Sequence, residues 1–337
     1  MMNLSKTTSN FTRTSGLLPV EKQLMIGFTG ILVPLILTGN TLVIVSYKSN
    51  RRLHTRTYTF LVSLAMSDLL VGGVNIPLWI GCIARYDICY KALFTFTDLF
   101  GAFASILHLT AITIERYIAI CQPYFHETLP ARYHKGTIIF VWVFSSTMAS
   151  LSWYRPSETF TQAYSCIVFV AGFVLPVTIV ISMYIGIFRA AKSLIRRQQR
   201  PYLPAVEGEG RQHTRKDQKL AVTVAVICGL FIIAWLPFFI LSIIAAFCYR
   251  DCFPANATDT LRIVTSVKWL HYSNSMVNPI VYALRDEEMR NTFYRILRFK
   301  ACRNKLTIPK AQSKTNLATN YTYNCSNNNL IGSKTLL

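Results

Sequence analysis

The chain has 337 residues, of which 52% are hydrophobic and 15% are charged, and its mean hydropathy is +0.35. This composition is typical of a membrane-embedded chain and argues against soluble domains. The formal net charge of +20 would suit a nucleic-acid partner, but the cations lie at the ends of apolar segments, where positive-inside bias explains them better. We therefore predict a membrane protein without a nucleic-acid partner.

Seven apolar segments of roughly bilayer-spanning length follow one another along the chain. The connections after the first and third segments are basic, with Arg51, Arg52 and Arg56 in one and Arg132 and Lys135 in the other. Positive-inside bias therefore places the amino terminus outside the cell and the carboxyl terminus in the cytoplasm. We predict an all-α seven-transmembrane helix bundle in the plasma membrane, with spans at 24–47, 58–83, 91–120, 137–153, 166–187, 220–247 and 263–284.

Segment 286–299 follows the last span and alternates apolar residues with arginines at helical spacing. We predict a short amphipathic eighth helix that contacts membrane lipid on the inner leaflet, with an ordinary solvated helix as the alternative. Cys302, just after it, is a candidate for palmitoylation. The apolar residues are Met289, Phe293, Ile296 and Leu297.

The predicted organisation has three parts. Residues 1–23 form an extracellular tail with no apolar h-region, so we expect no cleaved signal peptide. Residues 24–300 form the seven-transmembrane domain with its eighth helix, and 301–337 form a disordered cytoplasmic tail. Segment 155–165 is too short and polar to cross and is predicted to be an outer loop. Glycosylation sequons begin at Asn3, Asn10 and Asn256.

The third segment carries a carboxylate near one end, Asp98, and a guanidinium near the other, Arg116. The two lie about five turns apart and share a helix face, roughly 27 Å from each other at ~1.5 Å per residue. Ionisable groups inside a membrane are costly and usually mark a site. The third segment therefore links an outer pocket to an inner surface, along a face formed by Ala102, Ser105 and Leu109.

Motifs in every span resemble those of rhodopsin-like (class A) G protein-coupled receptors, and the match covers nearly all of the chain from the first span to Cys302. The resemblance implies a receptor that activates a heterotrimeric G protein, with arrestin and a receptor kinase as partners of the tail. The motifs are Gly39-Asn40, Leu64-Ala65-Met66-Ser67-Asp68, Glu115-Arg116-Tyr117, Trp142, Pro176, Tyr184, Phe231, Trp235-Leu236-Pro237 and Asn278-Pro279-Ile280-Val281-Tyr282.

The resemblance also implies residues for activation. Arg116 would pair with Glu115 and with Asp217 as a closed-state latch, although Asp217 is equally well explained as a solvated charge at a helix start. A sodium pocket is implied at Asp68, Ser105, Asn274, Ser275 and Asn278, with interhelical hydrogen bonds as the alternative. The remaining switch residues are Tyr117, Tyr184, Tyr282, Pro176, Ile106 and Phe231.

Asp98 matches the position that pairs with the ligand ammonium in biogenic and trace amine receptors. Aromatic rings around a carboxylate suit a cation, and those expected here are Phe238, Phe239, Trp269 and Tyr272; Trp235 is a further predicted pocket residue. The predicted pocket also includes Ala102, Ser242, Val168 and Gly172, and the last two disfavour a catechol because they lack hydroxyls.

Lys268 lies one turn before Tyr272 and would point a cation towards the pocket mouth. It would alternatively snorkel outward or accept an acidic group on the ligand. The sixth and seventh spans also resemble adenosine receptors, in Gly229-Leu230-Phe231 and in the run from Asn274 to Pro279, so a nucleoside receptor is the runner-up. An opsin is disfavoured because Tyr272 occupies the retinal-bearing lysine position.

A transporter is a less favoured alternative, because we find no internal repeats. No catalytic arrangement indicates an enzyme, and the lone His108 and His271 are interpreted as hydrogen-bonded core residues. The resemblance implies a disulfide between Cys89 and Cys166, and closely spaced Cys248 and Cys252 are a second candidate pair; Cys82 is then unpaired.

Overall fold

The computed structural model describes residues 18–84, 90–154, 156–198 and 208–306, and within some helices, including 208–225 and 299–306, it describes only the backbone. Asn3, Asn10 and Cys89 lie outside these residues. The seven predicted spans are long helices, and an eighth helix follows them. They are α1 Pro19–Ser49, α2 Arg56–Ala84, α3 Lys91–Cys121, α4 Ala131–Leu151, α5 Glu158–Gln198, α6 Gly208–Phe247, α7 Ala257–Arg285 and α8 Glu287–Leu306.

Five of these helices (α1, α2, α3, α5 and α6) are long and apolar enough to cross a bilayer by themselves. Helix α7 is not among them, and it faces protein over much of its circumference. Its buried polar side chains are Thr258, Thr260, Thr265, Lys268, His271, Asn274, Ser275 and Asn278. The seventh helix therefore supplies polar groups to the interior of the bundle.

Helix α3 is the central element of the bundle. It packs against α2, α4, α5 and α6, and nearly every residue from Asp98 to Arg116 is buried. This placement puts both charged ends of α3 inside protein, where a charge needs a partner. The chain therefore has to supply a counterion at each end.

Two of the long helices contain a single π-helical turn, Val71–Asn75 in α2 and Val170–Val174 in α5. Each turn lies just before a proline, Pro77 or Pro176. A proline ring clashes with the carbonyl four residues earlier, and widening the preceding turn relieves that clash. The wider turn in α2 directs Asn75 towards α3, where it contacts Asp98.

Helix α5 begins eight residues earlier than predicted. Ser157 accepts a hydrogen bond from the backbone N–H of Phe160 at 3.1 Å and so caps a helix that begins at Glu158. Tyr164 and Ser165 are buried in the bundle. The prediction that 155–165 is an outer loop is therefore wrong, because a local cap and burial make most of it the first turns of α5.

Helix α8 is fixed to the bundle by polar contacts at its start. The Tyr58 hydroxyl donates to Asp286 Oδ2 at 2.7 Å, and Asp286 Oδ1 accepts from the Met289 N–H at 2.9 Å. Burial raises the pKa of the Asp286 carboxyl, and both hydrogen bonds oppose this effect. Met289 and Phe293 are buried while Leu297 is exposed. Cys302 lies within α8, and its side chain is not among those described.

Candidate functional site

The outer charge of α3 is paired with a second buried charge. Asp98 is 4% exposed and Lys268, on α7, is 5% exposed. The Lys268 ammonium donates to Asp98 Oδ2, and Asn75 Nδ2 donates to Asp98 Oδ1 at 3.1 Å. Of the alternatives for Lys268, outward snorkelling is therefore wrong, because the buried carboxylate attracts the ammonium inward.

Four aromatic rings surround the Lys268 ammonium and form an aromatic cage. Its nitrogen lies 4.9 Å from the ring centroid of Phe238, 5.0 Å from Phe94, 5.9 Å from Tyr272 and 6.0 Å from Trp79. Ring faces attract a cation at these distances, most strongly where water is excluded. The site is therefore shaped to hold an ammonium group against a carboxylate.

The cage differs in part from the predicted one. Trp269 packs against α1, with its ring 4.6 Å from that of Phe28 and its indole N–H donating to Thr29 Oγ1 at 2.9 Å. Its place beside the cation is taken by Trp79 and Phe94, which were not predicted. Phe94 lies one helical turn before Asp98, and that spacing was the available signal.

His271 was also missed as a site residue. Its Nε2 lies 3.9 Å from Asp98 Oδ1, and its ring centroid lies 4.0 Å from that of Trp235. Neither ring nitrogen has a hydrogen-bond partner among the described residues, so the hydrogen-bonded interpretation is wrong for His271. It is confirmed for His108, which contacts Ser63 Oγ and the Ala104 carbonyl, each at 2.7 Å.

The other predicted pocket residues lie beside the cage, between α3, α5 and α6. Val168, Phe239 and Ser242 line a narrow crevice together with Tyr164, Ser165 and Phe169. The Ser242 hydroxyl donates to the Phe238 carbonyl at 2.8 Å.

Gly172 is required by a close approach of aromatic rings. A Cβ there would meet Phe103 at 3.1 Å and Phe239 at 3.3 Å. Ala102 is buried one turn beyond Asp98, and Trp235 is buried at the base of the cage. The small side chains on α3 and α5 therefore let these rings pack closely.

Asp68 collects the polar residues of the predicted sodium pocket. Ser275 Oγ and Asn278 Nδ2 donate to its two oxygens at 2.7 and 2.8 Å, and the Ser105 hydroxyl also hydrogen-bonds to it. Asn274 is buried, and its Nδ2 has no partner among the described residues. The carboxylate and hydroxyl oxygens fit a small hard cation, whereas the amide contact fits direct interhelical hydrogen bonding.

The inner charge of α3 is also paired. Arg116 Nε and Nη2 donate to the two oxygens of Glu115 at 2.6 and 2.8 Å, as predicted. Glu115 accepts further from Thr57 Oγ1 at 2.7 Å and lies 3.0 Å from His126 Nε2. Asp217, the other predicted partner, lies in α6, where the structure describes only the backbone. Of the predicted latch, the structure describes the contact between Arg116 and Glu115.

The remaining predicted switch residues lie on α3, α5, α6 and α7. Tyr117 lies so close to Gly186 of α5 that a Cβ there would be 2.5 Å from the tyrosine ring. Phe231 stacks on Trp235 with their centroids 5.5 Å apart. The other four are buried or partly buried: Ile106, Pro176, Tyr184 and Tyr282.

The disulfide predictions are half correct. Cys248 and Cys252 form a disulfide. Cys166 is a free thiol within α5, so the predicted bridge from Cys89 to Cys166 is wrong, because the early start of α5 leaves Cys166 in a helix. Cys82 is disulfide-bonded, which also corrects the prediction that it is unpaired.

Comparisons with known proteins agree with this geometry. Residues 39–282 match the family described as 7 transmembrane receptor (rhodopsin family). The chain is 30% identical to the histamine H2 receptor of Cavia porcellus over 79% of this chain and 77% of the relative. It is 28% identical to the human histamine H2 receptor over the same shares. It is 27% identical to the alpha-1A adrenergic receptor of Oryctolagus cuniculus over 88% of this chain and 73% of the relative. The chain therefore belongs to the rhodopsin family of seven-transmembrane receptors.

Proposed function

We propose that this receptor binds a small extracellular ligand with a protonated amine, and that the ligand ammonium pairs with Asp98. One observation carries the proposal: the site already holds an ammonium, that of Lys268, against Asp98 and inside four aromatic faces. A carboxylate in a dry pocket binds an ammonium through a charge-assisted hydrogen bond. A ligand amine would meet the same partners.

The relatives support an amine over a nucleoside. The histamine H2 and alpha-1A adrenergic receptors are both named for amine ligands. The adenosine-type alternative is therefore not favoured. A catechol is disfavoured by the structure as well as by sequence. Val168 lines the crevice without a hydroxyl, Gly172 lies against Phe103 and Phe239, and the hydroxyls of Ser165 and Ser242 donate to carbonyls of their own helices.

The conformational change caused by ligand binding would be transmitted to the cytoplasmic side through α6. Trp235 contacts both His271 and Phe238 beside the ion pair and stacks on Phe231 below. Movement of this stack would swing α6 outward about Pro237, a proline inside the helix that permits bending. Arg116 would then leave Glu115 and contact a heterotrimeric G protein.

Other features of the proposal concern the receptor in its membrane. The amino terminus would be extracellular, with glycans at Asn3, Asn10 and Asn256, and Cys302 would carry palmitate next to lipid. Asn256 is exposed, and its side-chain oxygen caps α7. The tail would recruit a receptor kinase and arrestin.

A sodium ion would lie at Asp68 with the hydroxyls of Ser105 and Ser275.

The test is a ligand panel on cells that express the full chain, with cyclic AMP and calcium as readouts. The panel contains biogenic amines, their parent amino acids and adenosine. We expect activation by a compound with an ammonium group and loss of that response in Asp98→Asn at equal surface expression. Asp259→Asn, an acid outside the site that pairs with Arg262, is the matched control. A response only to adenosine, or an unchanged response in Asp98→Asn, would overturn the proposal.

A further inference from the structure

The ligand site contains both members of an ion pair, and this fact constrains the charge of the ligand. Asp98 and Lys268 are each at least nine-tenths buried, and they bond to each other. Two further titratable groups face the pair: His271 Nε2 lies 3.9 Å from Asp98 Oδ1, and the Tyr272 ring centroid lies 5.9 Å from the Lys268 ammonium. The site is thus a compact cluster in which one negative and one positive charge balance.

A ligand that carries only an ammonium cannot leave this balance intact. If it takes Asp98, the Lys268 ammonium loses its carboxylate while the four rings of the cage still surround it. Ring faces do not replace a counterion, and a buried charge stripped of its partner is strongly unfavourable. The binding of a simple amine would therefore be weakened by the free-energy cost of leaving the Lys268 ammonium without a counterion.

A ligand that carries an ammonium and a carboxylate removes this cost. Its ammonium would pair with Asp98 and its carboxylate with Lys268, so that one internal ion pair becomes two intermolecular pairs and the cluster remains neutral. Both new contacts are charge-assisted hydrogen bonds. On the basis of the amine function proposed above, we propose that the ligand is a zwitterion of the amino-acid class and that Lys268 binds its carboxylate.

Polar atoms around the ion pair support a ligand with more than one polar group. Buried side-chain atoms that have no hydrogen-bond partner within the described ranges line the same site. Such atoms are costly unless a ligand satisfies them. They are Asn75 Oδ1, Trp79 Nε1, both ring nitrogens of His271 and the Tyr272 hydroxyl. Each of these residues contacts Asp98 or surrounds the Lys268 ammonium.

The test compares ligands that differ only in the carboxylate. Matched pairs are tryptamine and tryptophan, tyramine and tyrosine, histamine and histidine, and propylamine and 4-aminobutyrate, each applied to the full-length receptor with second-messenger output. We expect at least one amino acid to be more potent than its matched amine by about 100-fold or more. This comparison needs no variant and so does not depend on how a variant folds.

Variants of Lys268 give the second arm. Lys268→Gln should reverse the preference, because the amine then leaves no isolated charge while the carboxylate loses its partner. Lys22→Gln is the matched control, since Lys22 donates to the Ala84 carbonyl rather than to the ion pair. We expect it to leave the preference unchanged. Surface expression is measured for each variant.

The outcomes separate this inference from the proposed function. If an amine activates the wild-type receptor as well as its parent amino acid does, and Lys268→Gln leaves their ratio unchanged, the zwitterion inference fails while the amine function stands. If neither compound of any pair activates the receptor or raises the Tm of the purified full chain, both fail. An amino-acid preference that Lys268→Gln reverses supports both.

Discussion

The two ends of α3 carry ion pairs that are built in different ways. At the inner end, Glu115 and Arg116 are neighbours in the chain and bond to each other through two hydrogen bonds. At the outer end, Asp98 bonds to Lys268, which lies 170 residues away on α7. The inner pair needs only the local helix to form, whereas the outer pair forms only when α3 and α7 are packed together. A ligand that separates α3 from α7 must therefore break the contact between Asp98 and Lys268.

The largest expected effect comes from removing one partner of the outer pair. Asp98→Asn should lower the free energy of unfolding by about 3–5 kcal/mol, because it leaves the Lys268 ammonium buried without a counterion. The double variant Asp98→Asn/Lys268→Gln should recover most of that loss. Thermal unfolding of the purified full chain measures both. A double variant no more stable than Asp98→Asn would show that the two charges are not coupled.

A smaller effect is expected at the inner pair, where one carboxylate serves several partners. Glu115→Gln removes the charge but keeps an oxygen for Arg116 and Thr57, so we expect a loss of about 1–3 kcal/mol and a higher basal second-messenger output. Basal output per surface receptor measures the second effect. Glu287→Gln, exposed on α8, is the control and should change neither. Unchanged basal output in Glu115→Gln would argue against the latch.

Packing beside the inner pair gives the next prediction. Gly186→Ala should destabilise the receptor by about 1–2 kcal/mol, because the new Cβ would be 2.5 Å from the Tyr117 ring and force it to move. Gly136→Ala on α4 is the matched control, since a Cβ there meets nothing within 4 Å. The control should be neutral or slightly stabilising. Equal Tm values for the two variants would contradict this close approach.

The smallest effect is expected at the start of α5, at the same end of the bundle as the outer pair. Ser157→Ala removes the side-chain oxygen that caps α5 and should cost about 1 kcal/mol, while Ser157→Asp should keep the cap. Tm and hydrogen exchange over residues 158–165 measure the change. Faster exchange in the alanine variant alone is expected. Equal exchange in all three proteins would mean that the cap does not determine where α5 begins.

Sequence motifs predicted the inner half of the molecule better than the outer half. The Glu115-Arg116 contact was predicted because both residues stand in one motif. The polar partners of Asp68 were predicted from motifs on α7, and the structure gathers them. In each case the resemblance to rhodopsin-like receptors supplied the residues, because no helical spacing by itself links Asp68 on α2 with Ser275 and Asn278 on α7.

The outer half depends on which side chains of a helix face the site and on where each helix begins. Local sequence patterns reveal neither. The π-helical turn in α2 directs Asn75 to Asp98, and no simple 3.6-residue period predicts it. Trp269 and Lys268 are adjacent in α7, so only one of them faces the cage, and the sequence did not show which. The polar start of α5 resembled a loop, because its cap is one serine and its buried residues include Tyr164.

The most direct test of the account uses the double variant Asp98→Asn/Lys268→Gln, which keeps a neutral cluster and therefore a stable fold. Its second-messenger response to the most potent compound of the matched panel is measured at the surface expression of wild type. The account predicts that the response is lost, since the carboxylate that receives the ligand ammonium is absent. A response of wild-type potency would contradict the claim that Asp98 binds the ligand.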